Sequence, residues 1–237
     1  MVLVHGWAGN RTYWRHQVDF LADRYRVITL DLGGHGESGA GRSDWNLVAF
    51  GDDVAAVVQA VDATNVALVG HSMGGDAIVF AARQLGDRVI GLVWIDAFRS
   101  LGDETPASPD EVDGFVAPFR ADFAAAADGF ARNMFPATAD AELVDRVAAE
   151  MAGAPQDAAL GSLGYAMNRQ PRLLAALTEI TAPTVAINPD VAPTDSESLR
   201  KYGVEVTVLR DVGHFLMLED PAQFNPVLAA TLASFIR

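Results

Sequence analysis

Cysteine is missing from all 237 residues, which excludes disulfides, thiolate zinc sites and a cysteine nucleophile. Lysine is nearly missing too: Lys201 stands alone among 17 basic residues, so covalent amine chemistry has a single candidate. Basic charge is scarce overall. Against 31 acidic side chains the 17 basic ones leave a formal charge of −14, which argues against nucleic acid and anionic membrane surfaces as partners. No apolar run reaches membrane-spanning length. No basic-then-apolar leader is visible either, since Met1 runs straight into Val2-Leu3-Val4-His5-Gly6, so a cytoplasmic location is the default expectation.

What is present is an ordinary globular composition, 50% hydrophobic and 20% charged, long enough to bury a large core. Up to residue 97, short apolar runs alternate with amphipathic stretches. Val2-Leu3-Val4, Arg26–Asp31, Val66–Val69 and Val89–Ile95 read as strands; Tyr13–Asp23, Trp45–Val61 and Met73–Leu85 read as helices. Near-continuous Val/Ile/Leu strands separated by helices predict an α/β fold, a parallel sheet covered on both faces. From residue 98 to 179 the strand pattern vanishes. Alanine-rich helical stretches take over (Glu111–Phe135, Asp140–Met151, Pro155–Tyr165 and Pro171–Leu177), punctuated by prolines. The strands return at Thr184–Ile187 and Val204–Leu209, and a helix over Phe224–Ile236 closes the chain. The expected organisation is a core of residues 1–97 and 180–237 with a helical cap at 98–179. Ligand sites of open parallel sheets lie at the strand carboxyl ends, where such a cap would emerge.

Chemistry concentrates in Gly70-His71-Ser72-Met73-Gly74, a G-x-S-x-G set directly after a strand and directly before a helix. A tight strand-to-helix turn lifts the serine hydroxyl out of the sheet, and its flanking glycines avoid collision with neighbouring backbone. A serine hydroxyl needs a base to accept its proton. Of the five histidines, only His214 follows the last strand, which brings it to the same sheet end as Ser72. An oxyanion intermediate needs preorganised N–H donors. Met73, opening the helix, offers one, and Trp7, leaving the first strand, the other. His35 is expected to brace its glycine-rich loop, and His71 occupies a variable position of the serine motif.

These segments together resemble the α/β-hydrolase family over nearly the whole chain. His5-Gly6-Trp7 is similar to its oxyanion segment, Asp31-Leu32-Gly33-Gly34-His35-Gly36-Glu37-Ser38 to its D-x-x-G-x-G-x-S loop, and Gly70–Gly75 to its nucleophile elbow. Gly213-His214-Phe215 with Glu219-Asp220-Pro221 is similar to its histidine segment. The resemblance implies about six parallel strands, an inserted helical cap and a Ser-His-Asp triad, with no cofactor and no metal. Two departures stand out. The family's acid usually follows the strand after the cap in a G-x-x-D loop, but here that region reads Asn188-Pro189-Asp190-Val191-Ala192-Pro193, without the glycine. Asp190 is the first candidate acid, and Asp96, at the end of Val93-Trp94-Ile95, is the alternative. Second, the strand at Arg26–Asp31 becomes a sheet edge, because Met1 leaves no room for the family's two earlier strands; the chain either manages that edge, as a monomer or by dimerising, or is truncated.

The resemblance implies hydrolysis of a carboxylic ester or lactone. Carbon–carbon bond hydrolysis and cofactor-free perhydrolysis also use a serine at this elbow. A ligand-binding receptor on the same fold is the reading from another class. Phe115, Phe119, Phe123, Phe130 and Phe135, with Met134, Tyr165 and Met167, either pack the cap or face an apolar substrate of small to medium size. Recurrent acids in the cap disfavour a strongly anionic substrate.

Overall fold

The computed structural model describes residues 1–102 and 105–236, so residues 103 and 104 of the expected cap lie outside the described residues. Six parallel strands form one sheet among them: β1 (Val2–Val4), β2 (Ile28–Leu30), β3 (Val66–His71), β4 (Val89–Ile95), β5 (Thr184–Pro189) and β6 (Val204–Leu209), in the order β2-β1-β3-β4-β5-β6. The four inner strands have no exposed face because alternate residues feed two different cores. Val2, Val4, Leu68, Leu92, Trp94 and Ala186 point into one cluster. Leu3, Val69, Val93, Ile95, Val185 and Ile187 point into the other. That is the period-2 geometry of a strand buried on both sides.

Helices α2 (Leu47–Ala60) and α3 (Met73–Leu85) cover the first face, and α1 (Arg15–Leu21) the second. Between β4 and β5 the chain runs through α4 (Pro109–Ala121), α5 (Phe123–Arg132), α6 (Ala141–Ala152), α7 (Gln156–Ala166) and α8 (Gln170–Leu177). Val116, Phe119, Phe123, Ala127, Ala159 and Leu163 form a small core of their own within this block. The last of its helices, α8, buries Leu173 and Ala176 in the main core instead. Short α9 (Ser196–Lys201) and α10 (Leu216–Glu219) precede the closing α11 (Pro221–Phe235).

Two local differences from the sequence expectations have clear causes. The helix expected over Glu111–Phe135 breaks at Asp122, whose extended backbone (φ −149°, ψ 91°) lets its side chain cap the Ala125 N–H. The strand expected at Arg26–Asp31 shrinks to three residues at the sheet edge. A very short edge offers little unpaired backbone to a second chain. Among the described residues no helix is long and apolar enough to cross a membrane.

Candidate active site

The turn between β3 and α3 is built by steric necessity. Ser72 sits at φ 52°, ψ −121°, a left-handed conformation that costs a non-glycine residue about 1–3 kcal/mol. A Cβ on Gly70 would lie 2.2 Å from the Gly74 carbonyl oxygen, and one on Gly74 2.6 Å from the His5 carbonyl oxygen. Only glycine at both positions lets the chain reverse this sharply. The Ser72 N–H donates to the Ile95 carbonyl at 2.9 Å, which locks the turn to the end of β4. Met73 opens α3, where the first N–H groups of a helix have no acceptor within it. Trp7 leaves β1 beside this turn and lines the same cavity as Ser72 and Met73.

His214 arrives on the loop after β6, and three bonds set its place. Its N–H donates to the Met134 carbonyl at 3.0 Å, at the end of α5. Glu219 accepts from the N–H groups of both neighbours, Gly213 at 2.7 Å and Phe215 at 2.9 Å. Burial pushes the Glu219 carboxyl up, opposed by those two N–H bonds. His71 adds a fourth restraint. Burial drives this histidine well below its ordinary value, so it is neutral, and its Nε2–H donates to the His214 carbonyl at 2.9 Å.

The carboxylate that bonds His214 is Asp96, not Asp190, the residue expected first. The His214 Nδ1–H donates to Asp96 Oδ2 at 2.7 Å. A carboxylate only accepts, so the proton is on Nδ1 and Nε2 is left free to act as a base. Asp96 is buried, at φ 41°, and its N–H continues the ladder to the Ile187 carbonyl at 3.0 Å. Its other oxygen meets Arg99 Nη2 at 2.9 Å. Arg99 in turn donates to the Ala192 carbonyl at 2.7 Å and the Pro189 carbonyl at 3.5 Å. Asp190, the first candidate, does not face His214. It is exposed, and its carboxylate accepts from the Asp211 N–H at 3.0 Å. The reason is the backbone: the Asp190 N–H still belongs to the β5–β6 ladder, bonded to the Leu209 carbonyl at 2.9 Å, so its side chain closes the β6 end.

His5 and His35 stay outside this constellation. Burial pushes His5 down to about 3, its Nε2 accepts from the Leu32 N–H at 3.0 Å, and its Nδ1–H donates to the Gly6 carbonyl at 2.8 Å. His35 packs against it, ring centroids 5.2 Å apart, inside the glycine-rich loop.

Two cavities meet at Ser72 and His214. The inner one, about 240 Å³, is walled by Trp7, Phe115, Phe130, Met134, Leu163 and Met167. The outer one, about 490 Å³, presents Arg99, Ser100, Asn133 and Arg169. Of the aromatic residues singled out in the sequence, Phe115 and Phe130 reach the inner cavity. Phe119 and Phe123 pack the cap core, Phe135 stacks on Phe215, and Tyr165 faces a separate groove. Arg99, Arg169 and Asn133 escaped sequence reasoning; the one signal was Arg99 standing three residues after Asp96. Among the described residues no group of three or more histidines and carboxylates is placed to hold a metal ion.

A parallel sheet with a serine elbow after a central strand and an oriented histidine at the same end defines a hydrolase of the α/β class. The chain belongs to the alpha/beta hydrolase family, whose model matches residues 1–227. It is similar to the dihydrolipoyllysine-residue acetyltransferase component of the acetoin cleaving system of Pseudomonas putida, 32% identical over 98% of this chain but spanning only 63% of that protein. The bifunctional esterase/perhydrolase of Acinetobacter calcoaceticus is 35% identical over 45% of this chain and 39% of its own. The structure of an esterase from Exiguobacterium antarcticum superimposes with a TM-score of 0.85, covering 98% of this chain and 91% of that one at 23% identity, a likeness of fold.

Proposed function

We propose that the protein hydrolyses carboxylic esters or lactones through a covalent acyl-serine. The observation that carries this reading is the conjunction at one cavity junction: a serine strained to φ 52° at a helix start, and a histidine whose Nδ1–H is held by a buried carboxylate at 2.7 Å. Ser72 Oγ attacks the carbonyl carbon while His214 Nε2 takes its proton. The N–H groups of Trp7 and Met73 receive the negative oxygen. The tetrahedral adduct collapses, His214 hands the proton to the departing alkoxide, and the acyl group stays on Ser72. Water, deprotonated by the same imidazole, then releases the acid. Asp96 stabilises the imidazolium formed in each half and keeps its orientation.

The likeness to an esterase/perhydrolase favours a second reading, in which hydrogen peroxide intercepts the same acyl-serine and leaves as a peracid. Hydrolysis of p-nitrophenyl esters from C2 to C12 by wild type and Ser72→Ala tests the first reading, and peracid formation from acetate and peroxide the second. Turnover by wild type that Ser72→Ala abolishes supports the acyl-serine. Equal turnover by the two proteins, or none by folded wild type, overturns it.

A further inference from the structure

The two cavities have opposite chemistry, and one charged side chain, Arg169, lines both beside Ser72, Met134 and His214. Arg169, at the start of α8, lines the apolar inner cavity and the polar outer one. It is not a loose surface arginine. Its Nη2 donates to the Ala97 carbonyl at 3.0 Å, its guanidinium lies 4.8 Å over the Phe98 ring, and its Nε is 3.5 Å from the fully buried Asp76. These contacts hold the group at the wall between the two cavities.

The outer cavity is also short of negative charge. Among the described residues its one carboxylate is Asp96, whose oxygens are taken by His214 and Arg99. Of the described acids of the cap, Asp110, Glu111, Asp113, Asp122, Glu142 and Asp157 are exposed and line neither cavity. A planar guanidinium held at a cavity wall is suited to recognition of a carboxylate.

We propose that the substrate is an ester with two unlike arms: a short apolar acyl group in the inner cavity and an alcohol arm bearing a carboxylate in the outer one, bound by Arg169. This rests on the acyl-serine reading and adds the substrate class. The volumes agree with the assignment. About 240 Å³ with apolar walls holds a short acyl chain, while the wider polar cavity gives the departing alcohol its exit beside His214. Arg169 is thus a specificity residue, bringing the charged arm to a place where the scissile carbonyl falls at Ser72.

The test compares the butyrate esters of 3-hydroxybenzoate and 3-hydroxybenzamide, which share an acyl group and a ring and differ in one charge. Wild type is expected to favour the carboxylate ester by about tenfold in kcat/KM, through KM, the magnitude of one charge-assisted contact. Arg169→Gln should bring the ratio to about 1, and Arg169→Lys should keep part of the preference. Because Asp76 faces Arg169, the double variant Asp76→Asn/Arg169→Gln provides a protein without a stranded buried charge. A wild-type ratio near 1, or a preference that survives in Arg169→Gln, overturns the proposal. Calorimetric binding of 3-butyramidobenzoate, an amide analogue, to wild type and the double variant reads the same contact without turnover. Tighter binding to wild type sustains it, and equal or absent binding overturns it, whatever the fate of the acyl-serine reading. Ser72→Ala, by contrast, should silence both esters, and its failure to do so would count against the acyl-serine alone.

Discussion

Asp96 and Asp190 leave adjacent strands at the same end of the sheet, and chain order accommodates either as partner of His214. Backbone direction separates them. Asp96 turns through φ 41° toward the histidine, whereas Asp190 is still paired in the ladder and serves the Asp211 N–H. Asp96→Asn is therefore expected to lower kcat by about 10³- to 10⁴-fold, because an amide no longer enforces the productive imidazole tautomer. Asp190→Asn should stay within a few-fold of wild type on the same ester. A larger loss in Asp190→Asn than in Asp96→Asn would contradict the geometry. Glu219 supports a second expectation. In Glu219→Gln one of the two N–H groups flanking His214 loses its acceptor, because an amide offers one oxygen. Stability should fall by about 1–3 kcal/mol in urea titration, and kcat should fall with it. Ser72 and His214 were legible as residue types at the right strand ends. The carboxylate beside His214 was not, since choosing between two strand-end aspartates requires backbone angles, φ 41° at Asp96, that the sequence does not display. The missing glycine after β5 was the visible sign that the usual acid loop had changed.

Elements were easier to read than their ends. The bounds Met73–Leu85 and Val89–Ile95 follow from the glycine turn before one and the continuous apolar run of the other, and the structure has them at the same residues. The Glu111–Phe135 stretch hid its break because alanine-rich sequence is helical on either side of Asp122, and only the cap to Ala125 divides it. What the sequence could not convey is how the cap is fastened. Trp7 Nε1–H donates to the Ala159 carbonyl at 2.8 Å, and the ring meets Phe119, Phe123 and Phe130 within 6.1 Å. The loop that carries Trp7 is thus pinned beneath α7. Trp7→Phe keeps an aromatic ring but loses this bond, worth about 1 kcal/mol. Amide exchange in α7 should quicken, and KM for butyrate esters should rise by about 5-fold. Unchanged exchange would separate the cap from Trp7.

Across the whole molecule, the −14 charge and the two-sided core make stability a question of acid. His5 and His71 are both buried and held below their ordinary value by burial, His5 at about 3. A depressed folded value means that their contribution is fully present above the unfolded value, about 6.5, and drains away as pH falls toward the folded one. Each takes up a proton on unfolding in that window, so the pair imposes up to about 3 kcal/mol per pH unit. Urea midpoints at pH 7.5, 6.5 and 5.5 should fall slightly over the first interval and about three times as much over the second. A flat profile down to pH 5.5 would show that these rings are not neutral in the fold. The class of fold was legible from the alternation of strands and helices alone, while these acid-sensitive supports became visible only once the chain was folded around them.

The clamp on Asp96 has a consequence for how this protein can change over generations. Arg99 grips the segment after β5 by carbonyl oxygens, at Pro189 and Ala192, which every residue type supplies. Ala192 serves this clamp through its carbonyl alone, whereas the Val191 side chain lines the outer cavity and the Asp190 carboxylate accepts from the Asp211 N–H. Position 192 is therefore the freest to drift, and a saturation library there should return mostly active proteins. It is a place where new rim chemistry can be tried at little risk to the reaction, provided that the path of the main chain is kept.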